Sequence, residues 1–246
     1  MEVGDLERPP AGVTVLRHRD GAATKVAVEW SDAAPALIGR VLRGPSVTAL
    51  RITAPKGGED DHLYWEDDLD PDGEPTPALT VATGALATLD LGRLTELDLS
   101  YMRIGALGAK TLAVSAYLRA EAADLGTDAG HRLETLDLRY CRIGNTGLEA
   151  LAASPLFNGV RRLRLQSNVI TAKGVRALHR FTGLTDLDLR YNEIGADGVR
   201  ALLAAPFVPS LERLLMYRSD VGDEGAALLA RAPQLSPVLR SFWRSA

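Results

Sequence analysis

The chain is poor in the residues that most often carry chemistry. It has one cysteine, four histidines and an aromatic content of 5% in 246 residues. A lone cysteine, Cys141, excludes an intramolecular disulfide framework. Its place inside a repeated pattern marks it as a structural thiol rather than a nucleophile. His18, His131 and His179 share no spacing with carboxylates, and His62 beside Asp60 and Asp61 offers only one imidazole for a metal. No run of about eighteen apolar residues is present, which excludes a membrane-spanning helix. The first residues, Met-Glu-Val-Gly-Asp-Leu-Glu, lack the basic-then-apolar layout of a secretion signal. A cytoplasmic location is therefore expected. The net charge of −4 and the absence of a basic run argue against a nucleic-acid partner. No G-x-S-x-G, H-E-x-x-H or G-x-x-x-x-G-K-[ST] motif occurs, so no catalytic residue, metal ligand or cofactor is assigned. Gly105-Ala-Leu-Gly108-Ala-Lys110 has only a faint likeness to a phosphate loop.

What the chain has instead is a repeat. Leu94, Leu97 and Leu99 are followed by Ile104, Gly105 and Gly108. The same ladder returns at Leu133-Leu136-Leu138 with Ile143, Gly144 and Gly147, and at Val160-Leu163-Leu165 with Ile170 and Gly174. It returns again at Leu184-Leu187-Leu189 with Ile194, Gly195 and Gly198, and at Leu211-Leu214-Met216 with Val221, Gly222 and Gly225. The first, fourth and sixth positions suit a short strand with one buried face. The run after the glycines has helical spacing and an apolar anchor at a fixed offset: Leu112, Leu151, Leu178, Leu202, Leu229. One such unit cannot bury its own apolar side, whereas stacked units align their leucines into continuous columns. The expected fold is an α/β solenoid, a horseshoe arc with a parallel sheet on the concave face and helices on the convex face.

The pattern resembles leucine-rich repeats, and within them the ribonuclease-inhibitor-like class, in which a loop of the form Ile-Gly-x-x-Gly leads into the helix. The resemblance covers residues 94–232. The family places Asn or Cys after the strand, where the side chain bonds loop backbone. That slot holds Met102, Cys141, Asn168, Asn192 and Ser219, so three of the five units match. The resemblance implies a protein that binds other proteins.

The remaining chain departs from the period. Val13–Val15 and Ala23–Trp30 read as strands joined at Gly21. Ser31 reads as the N-cap of a helix through Leu42, and Val47, Leu50 and Ile52 repeat the strand spacing. Residues 1–46 are thus expected to form a β-β-α capping unit, 47–93 a degenerate first repeat with an inserted acidic loop, 94–232 five repeats, and 233–246 a C-terminal cap. In that last cap Leu235, Pro237 and Val238 read as a truncated strand, covered by Phe242 and Trp243. The acidic stretch Glu59–Glu74 contains Asp68-Leu-Asp70-Pro-Asp72-Gly73, the opening of a calcium loop. Leu79 stands where the bidentate Glu is needed and Pro71 is awkward inside such a loop, so a solvated acidic loop is the favoured reading. A second insertion spans Tyr117–Gly130.

The strand positions between the leucines face the concave side. One column reads Asp98, Asp137, Arg164, Asp188, Leu215; the next Ser100, Arg139, Gln166, Arg190, Tyr217; the third Tyr101, Tyr140, Ser167, Tyr191, Arg218. Tyrosine and arginine are enriched at interface hot spots. Pairing of Asp and Arg across neighbouring strands accounts for the charges but not for tyrosine three times at one register. The partner-binding candidates are therefore Tyr101, Tyr140, Tyr191, Tyr217, Arg139, Arg164, Arg190, Arg218, Asp98, Asp137 and Asp188. Five strands give a face of roughly 350 Å², against about 800 Å² per side for a standard interface. A peptide or small epitope fits that area, and the acidic loop favours a partner with a basic patch. The expected function is a non-catalytic protein-interaction module. The alternatives are a regulator of an enzyme, either an inhibitor or a GTPase-activating factor like the Ran GTPase-activating proteins, and a self-associating structural protein.

Overall fold

A computed structural model describes residues 9–55, 84, 87–88, 91–123 and 133–245; the side chains of 115–123 and 245 lie outside that description. The described strands form one sheet in chain order: β1 (Val13–Arg19), β2 (Ala22–Glu29), β3 (Ala49–Thr53), β4 (Glu96–Asp98), β5 (Thr135–Asp137), β6 (Arg162–Arg164), β7 (Asp186–Asp188) and β8 (Arg213–Leu215). Only β1 and β2 are antiparallel; every later neighbour is parallel. Among the described residues there are seven α-helices: α1 (Ala34–Val41), α2 (Gly105–Ala123), α3 (Gly144–Ala153), α4 (Ala172–Ala177), α5 (Gly195–Leu203), α6 (Arg218–Arg231) and α7 (Pro237–Ser245).

The register carries the leucine columns. Leu50, Leu97, Leu136, Leu163, Leu187 and Leu214 stand opposite one another along the sheet, and all are buried. Val47, Leu94, Leu133, Val160, Leu184 and Leu211 form a second buried set, and Ile52, Leu99, Leu138, Leu165, Leu189 and Met216 a third. One continuous apolar core joins Val13 to Trp243. No leucine column is closed within its own unit, so each unit is stabilised mainly by its neighbours. Successive helices from α2 to α7 pack side by side. Their approach is set by small residues. A Cβ built on Gly147 would lie 3.0 Å from Ala109 Cβ and 3.3 Å from Ala106 Cα of the preceding helix. This is the close backbone approach for which the second glycine of the motif is suited.

Several expectations change. The helix assigned to begin at Ser31 starts later, with Ala33 as its N-cap and Pro35 in its first turn; Ser31 instead accepts from Ala34 N through its carbonyl at 2.9 Å. The C-terminal segment is not a blunted strand. It is α7, with Pro237 at its first position, where the missing N–H costs nothing. Leu235, Leu239 and Trp243 recur every four residues, which is helical spacing. Leu235 and Trp243 are buried, whereas Phe242 is 58% exposed and does not cover the end. The opening of the second insertion lengthens α2 to Ala123. The rest of that insertion, the acidic stretch Glu59–Glu74 with its calcium-loop sequence, and His62 lie outside the described residues. No helix among the described residues is long and apolar enough to cross a membrane.

Candidate functional site

The loops that leave β4–β7 set the geometry of the open sheet face. After each strand the chain turns through the left-handed region at one register: Tyr101 (φ 67°), Tyr140 (58°), Ser167 (54°) and Tyr191 (57°). Interstrand backbone bonding continues to that point, from Tyr101 N to Arg139 O (2.8 Å), Tyr140 N to Gln166 O (2.9 Å) and Ser167 N to Arg190 O (3.0 Å). A non-glycine residue there is strained by roughly 1–3 kcal/mol and persists only where its surroundings hold it.

A buried side-chain ladder does so. Asn168 Nδ2 donates to the carbonyls of Leu138 (2.7 Å) and Gln166 (3.1 Å), and its Oδ1 accepts from Ile143 N (3.2 Å). Asn192 accepts from Asn168 N and Ile170 N, both at 3.0 Å, and donates to Leu165 O (2.9 Å) and Leu189 O (3.0 Å). Cys141 Sγ donates to Leu99 O at 3.0 Å. Burial pushes the Cys141 thiol up to about 12, which keeps it a donor rather than a nucleophile.

In the fifth unit the ladder is continued by Asp220 rather than Ser219, which is exposed. The Asp220 carboxylate accepts from Tyr191 N (3.1 Å) and Tyr217 N (2.6 Å). Here α6 begins at once, at Arg218, and kinks at Gly222 (φ 70°), so the register slips by one residue. Burial holds the Asp220 carboxyl above its ordinary value despite these backbone donors.

The tyrosines form two pairs. Tyr101 and Tyr140 stack with ring centroids 4.7 Å apart and planes 10° from parallel. Tyr191 and Tyr217 meet edge to face at 5.0 Å. Tyr101 and Tyr191 are more than half exposed and Tyr217 is exposed. Gln166 Nε2 donates to the Tyr140 hydroxyl at 2.7 Å, which ties that ring to the segment after β6. A hydrogen bond with Tyr217 raises the Tyr191 phenol above its usual value. Arg190 Cζ lies 5.9 Å from the centre of the Tyr217 ring, within cation–π range.

The aspartates are the floor beneath these groups. Asp137 retains 2% side-chain exposure, with Arg139 Nη2 at 2.8 Å and Arg164 Nη1 at 3.0 Å. Asp188 is buried and bonded to Arg190 at 2.6 Å. Ser100 donates both its N–H (3.0 Å) and its hydroxyl (2.6 Å) to the buried Asp98. The Asp137 hydrogen bond raises the Arg139 guanidinium further above its already high value, and the Asp188 hydrogen bond does the same for Arg190. Arg218, at the start of α6, is engaged by Asp223 at 2.9 Å.

A further column goes unread in the sequence: Glu96, Thr135, Arg162, Asp186 and Arg213, two residues before the aspartate column in matching register. The alternation rule that gave the other columns, carried one step toward the N-terminus, identifies it. Among the described residues, no group of three or more His, Cys, Asp or Glu side chains is placed to hold a metal ion.

A family model for the Leucine Rich repeat matches residues 94–113, 131–152, 160–178 and 183–203. These are the four units whose strands are β4 to β7. With the in-order parallel sheet and the helix in each unit, these segments are leucine-rich repeats within an α/β solenoid. No curated protein is similar enough to match it.

Proposed function

We propose that this protein is a non-catalytic interaction module that binds a protein or peptide through the open, concave face of its sheet. The observation that carries the reading is the pair of tyrosine clusters, Tyr101–Tyr140 and Tyr191–Tyr217, in which Tyr101, Tyr191 and Tyr217 stand exposed, on a face where Arg139 and Arg190 are held by buried aspartates. Tyrosine offers large contact area for two torsions, and rings fixed against one another lose little further freedom on binding. In this reading Tyr101, Tyr140, Tyr191, Tyr217 and Arg164 touch the partner. Arg139 and Arg190 do so from fixed positions, and Asp98, Asp137 and Asp188 act beneath them as positioning groups. Arg218 contributes from the rim through the part of its guanidinium that Asp223 does not engage.

Size supports a slim partner. Seven parallel-paired strands at about 4.8 Å give a face of roughly 500 Å², below the approximately 800 Å² of a standard interface side. The finer assignment to the ribonuclease-inhibitor-like class is supported by a helix after each Ile-Gly-x-x-Gly loop. A cytoplasmic setting is supported by the use of a single, buried cysteine, with no disulfide framework within the chain.

The test is comparative capture from native lysate by the full chain and by a Tyr140→Ala/Tyr191→Ala variant of unchanged melting temperature. The expected result is a partner retained by the parent and lost by the variant. Equal retention would sink the reading. A GTPase or another enzyme as that partner would add the regulatory role.

A further inference from the structure

Charge is unevenly distributed along the open face. At the β2–β4 end it is matched one to one: Lys25 bonds Glu96, and Arg51 lies 3.7 Å from Asp98. At the β6–β8 end a cavity of about 300 Å³ is lined by five arginines and two aspartates. Arg162, Arg164 and Arg213 line it with exposed side chains, and Asp186 and Asp188 are the carboxylates. Counting Asp137 beneath and Glu134, which Arg162 reaches, the cavity retains a net charge of +1, five cations against four anions. Arg164 uses Nη1 on Asp137 (3.0 Å). Arg162 uses Nε on Thr135 (2.9 Å) and reaches Glu134 at 3.5 Å, and Arg213 is 3.7 Å from Asp186, beyond hydrogen-bond distance. A guanidinium carries five N–H donors, so these contacts leave donors over.

Beside it lies a second cavity of about 290 Å³, between β8 and α7, walled by Leu215, Val238, Phe242 and Trp243 and also lined by Glu212. Arg190, Arg213 and Leu215 line both cavities, so the two adjoin. Val238 (77% exposed) and Phe242 (58%) present apolar surface on α7. Charge and apolar surface thus adjoin at one end of the sheet.

We infer that the two cavities form one cleft for an extended peptide that places a carboxylate among Arg162, Arg164 and Arg213 and a bulky apolar side chain between β8 and α7. The inference rests on the proposed function, and it replaces a basic partner with an acidic one at this face. Guanidinium forks match carboxylate geometry. The carboxylate has two sources, an Asp or Glu side chain or a free C-terminus.

Fluorescence anisotropy with the full chain and labelled peptides tests this. The probes are Gly-Ser-Glu-Asp-Leu-Phe amide, Gly-Ser-Lys-Lys-Leu-Phe amide, and Gly-Ser-Gly-Gly-Leu-Phe as the amide and as the free acid. The acidic amide is expected to bind at least about tenfold more tightly than the lysine peptide, with affinity falling as salt rises. Preferential binding of the glycine free acid over its amide would assign the carboxylate to a chain terminus. Arg164→Glu/Arg213→Glu should weaken the acidic peptide at least about tenfold at unchanged melting temperature, as should Phe242→Ser separately. If the double variant fails to fold, Arg213→Gln replaces it and should still weaken binding. Equal affinity for the acidic and lysine peptides, or no binding by any probe, overturns the inference. Loss of the captured native partner in the tyrosine variant but not in the arginine variants would sink the cleft chemistry alone. Retention in both would sink the concave-face reading as well.

Discussion

In β6, Leu163 is sealed beneath the helices while Arg162 and Arg164 on either side stand exposed on the open face. The same contrast recurs across the sheet. The inward register reads Leu97, Leu136, Leu163, Leu187, Leu214, with no change of residue. The outward register beside it reads Asp98, Asp137, Arg164, Asp188, Leu215. Inward positions share a single environment, because each is packed between equivalent side chains of the units before and after. Outward positions meet solvent and one another, and each is free to differ. Stability is thus concentrated on one face and recognition on the other, one residue apart along the chain.

The sharpest way to break that contrast is at Leu163. Leu163→Ala should cost about 2–5 kcal/mol, because it empties a mid-array column that neighbours on both sides cannot fill; chemical denaturation measures it. An unchanged midpoint would mean that the column is not shared. Asn168→Ala comes next, at about 1–3 kcal/mol, since the Leu138 and Gln166 carbonyls and the Ile143 amide lose a buried partner. On the outward side Arg164→Ala should cost less than about 1 kcal/mol, because its side chain is half exposed and its ion pair is screened. A cost matching that of Leu163→Ala would erase the distinction between the faces.

The smallest effect is one of pH. The Asp220 carboxyl is held above its unfolded value by burial, so the folded chain binds that proton more readily than the unfolded chain. Its contribution therefore becomes more favourable as pH falls through the carboxylate range, and is lost as pH rises through the elevated folded value. The melting temperature of the parent minus that of Asp220→Asn should increase as the pH is lowered from about 7 to about 4. A difference that shrinks instead would show that the backbone donors from Tyr191 and Tyr217 outweigh burial.

The leucine ladder made the solenoid legible because burial repeats with the unit, and any periodic environment leaves a periodic residue. The outward columns were legible in part: alternation found the aspartate column but was not carried back to Arg162 and Arg213, which line the basic cavity. The left-handed turn at Tyr101, Tyr140, Ser167 and Tyr191 left no signal. These residue types have no preference for that region, and the ladder of Asn168 and Asn192 imposes it from outside. The slip from Ser219 to Asp220 was hidden for the same reason, since it depends on where α6 starts. At the C-terminus Pro237 reads as a residue that blunts a strand. The four-residue recurrence of Leu235, Leu239 and Trp243 was the stronger signal, because it fixes which side of a helix can be buried.

Cys141 has a use that follows from its position. It is the chain's only thiol, fully buried in the second of the matched units and tied to a carbonyl of the unit before it. A reagent that alkylates thiols reaches it only when the contact between those two units opens. The rate of labelling in native buffer therefore clocks the parting of adjacent units mid-chain. Comparing that rate with global unfolding would show whether the array separates as a zip or all at once.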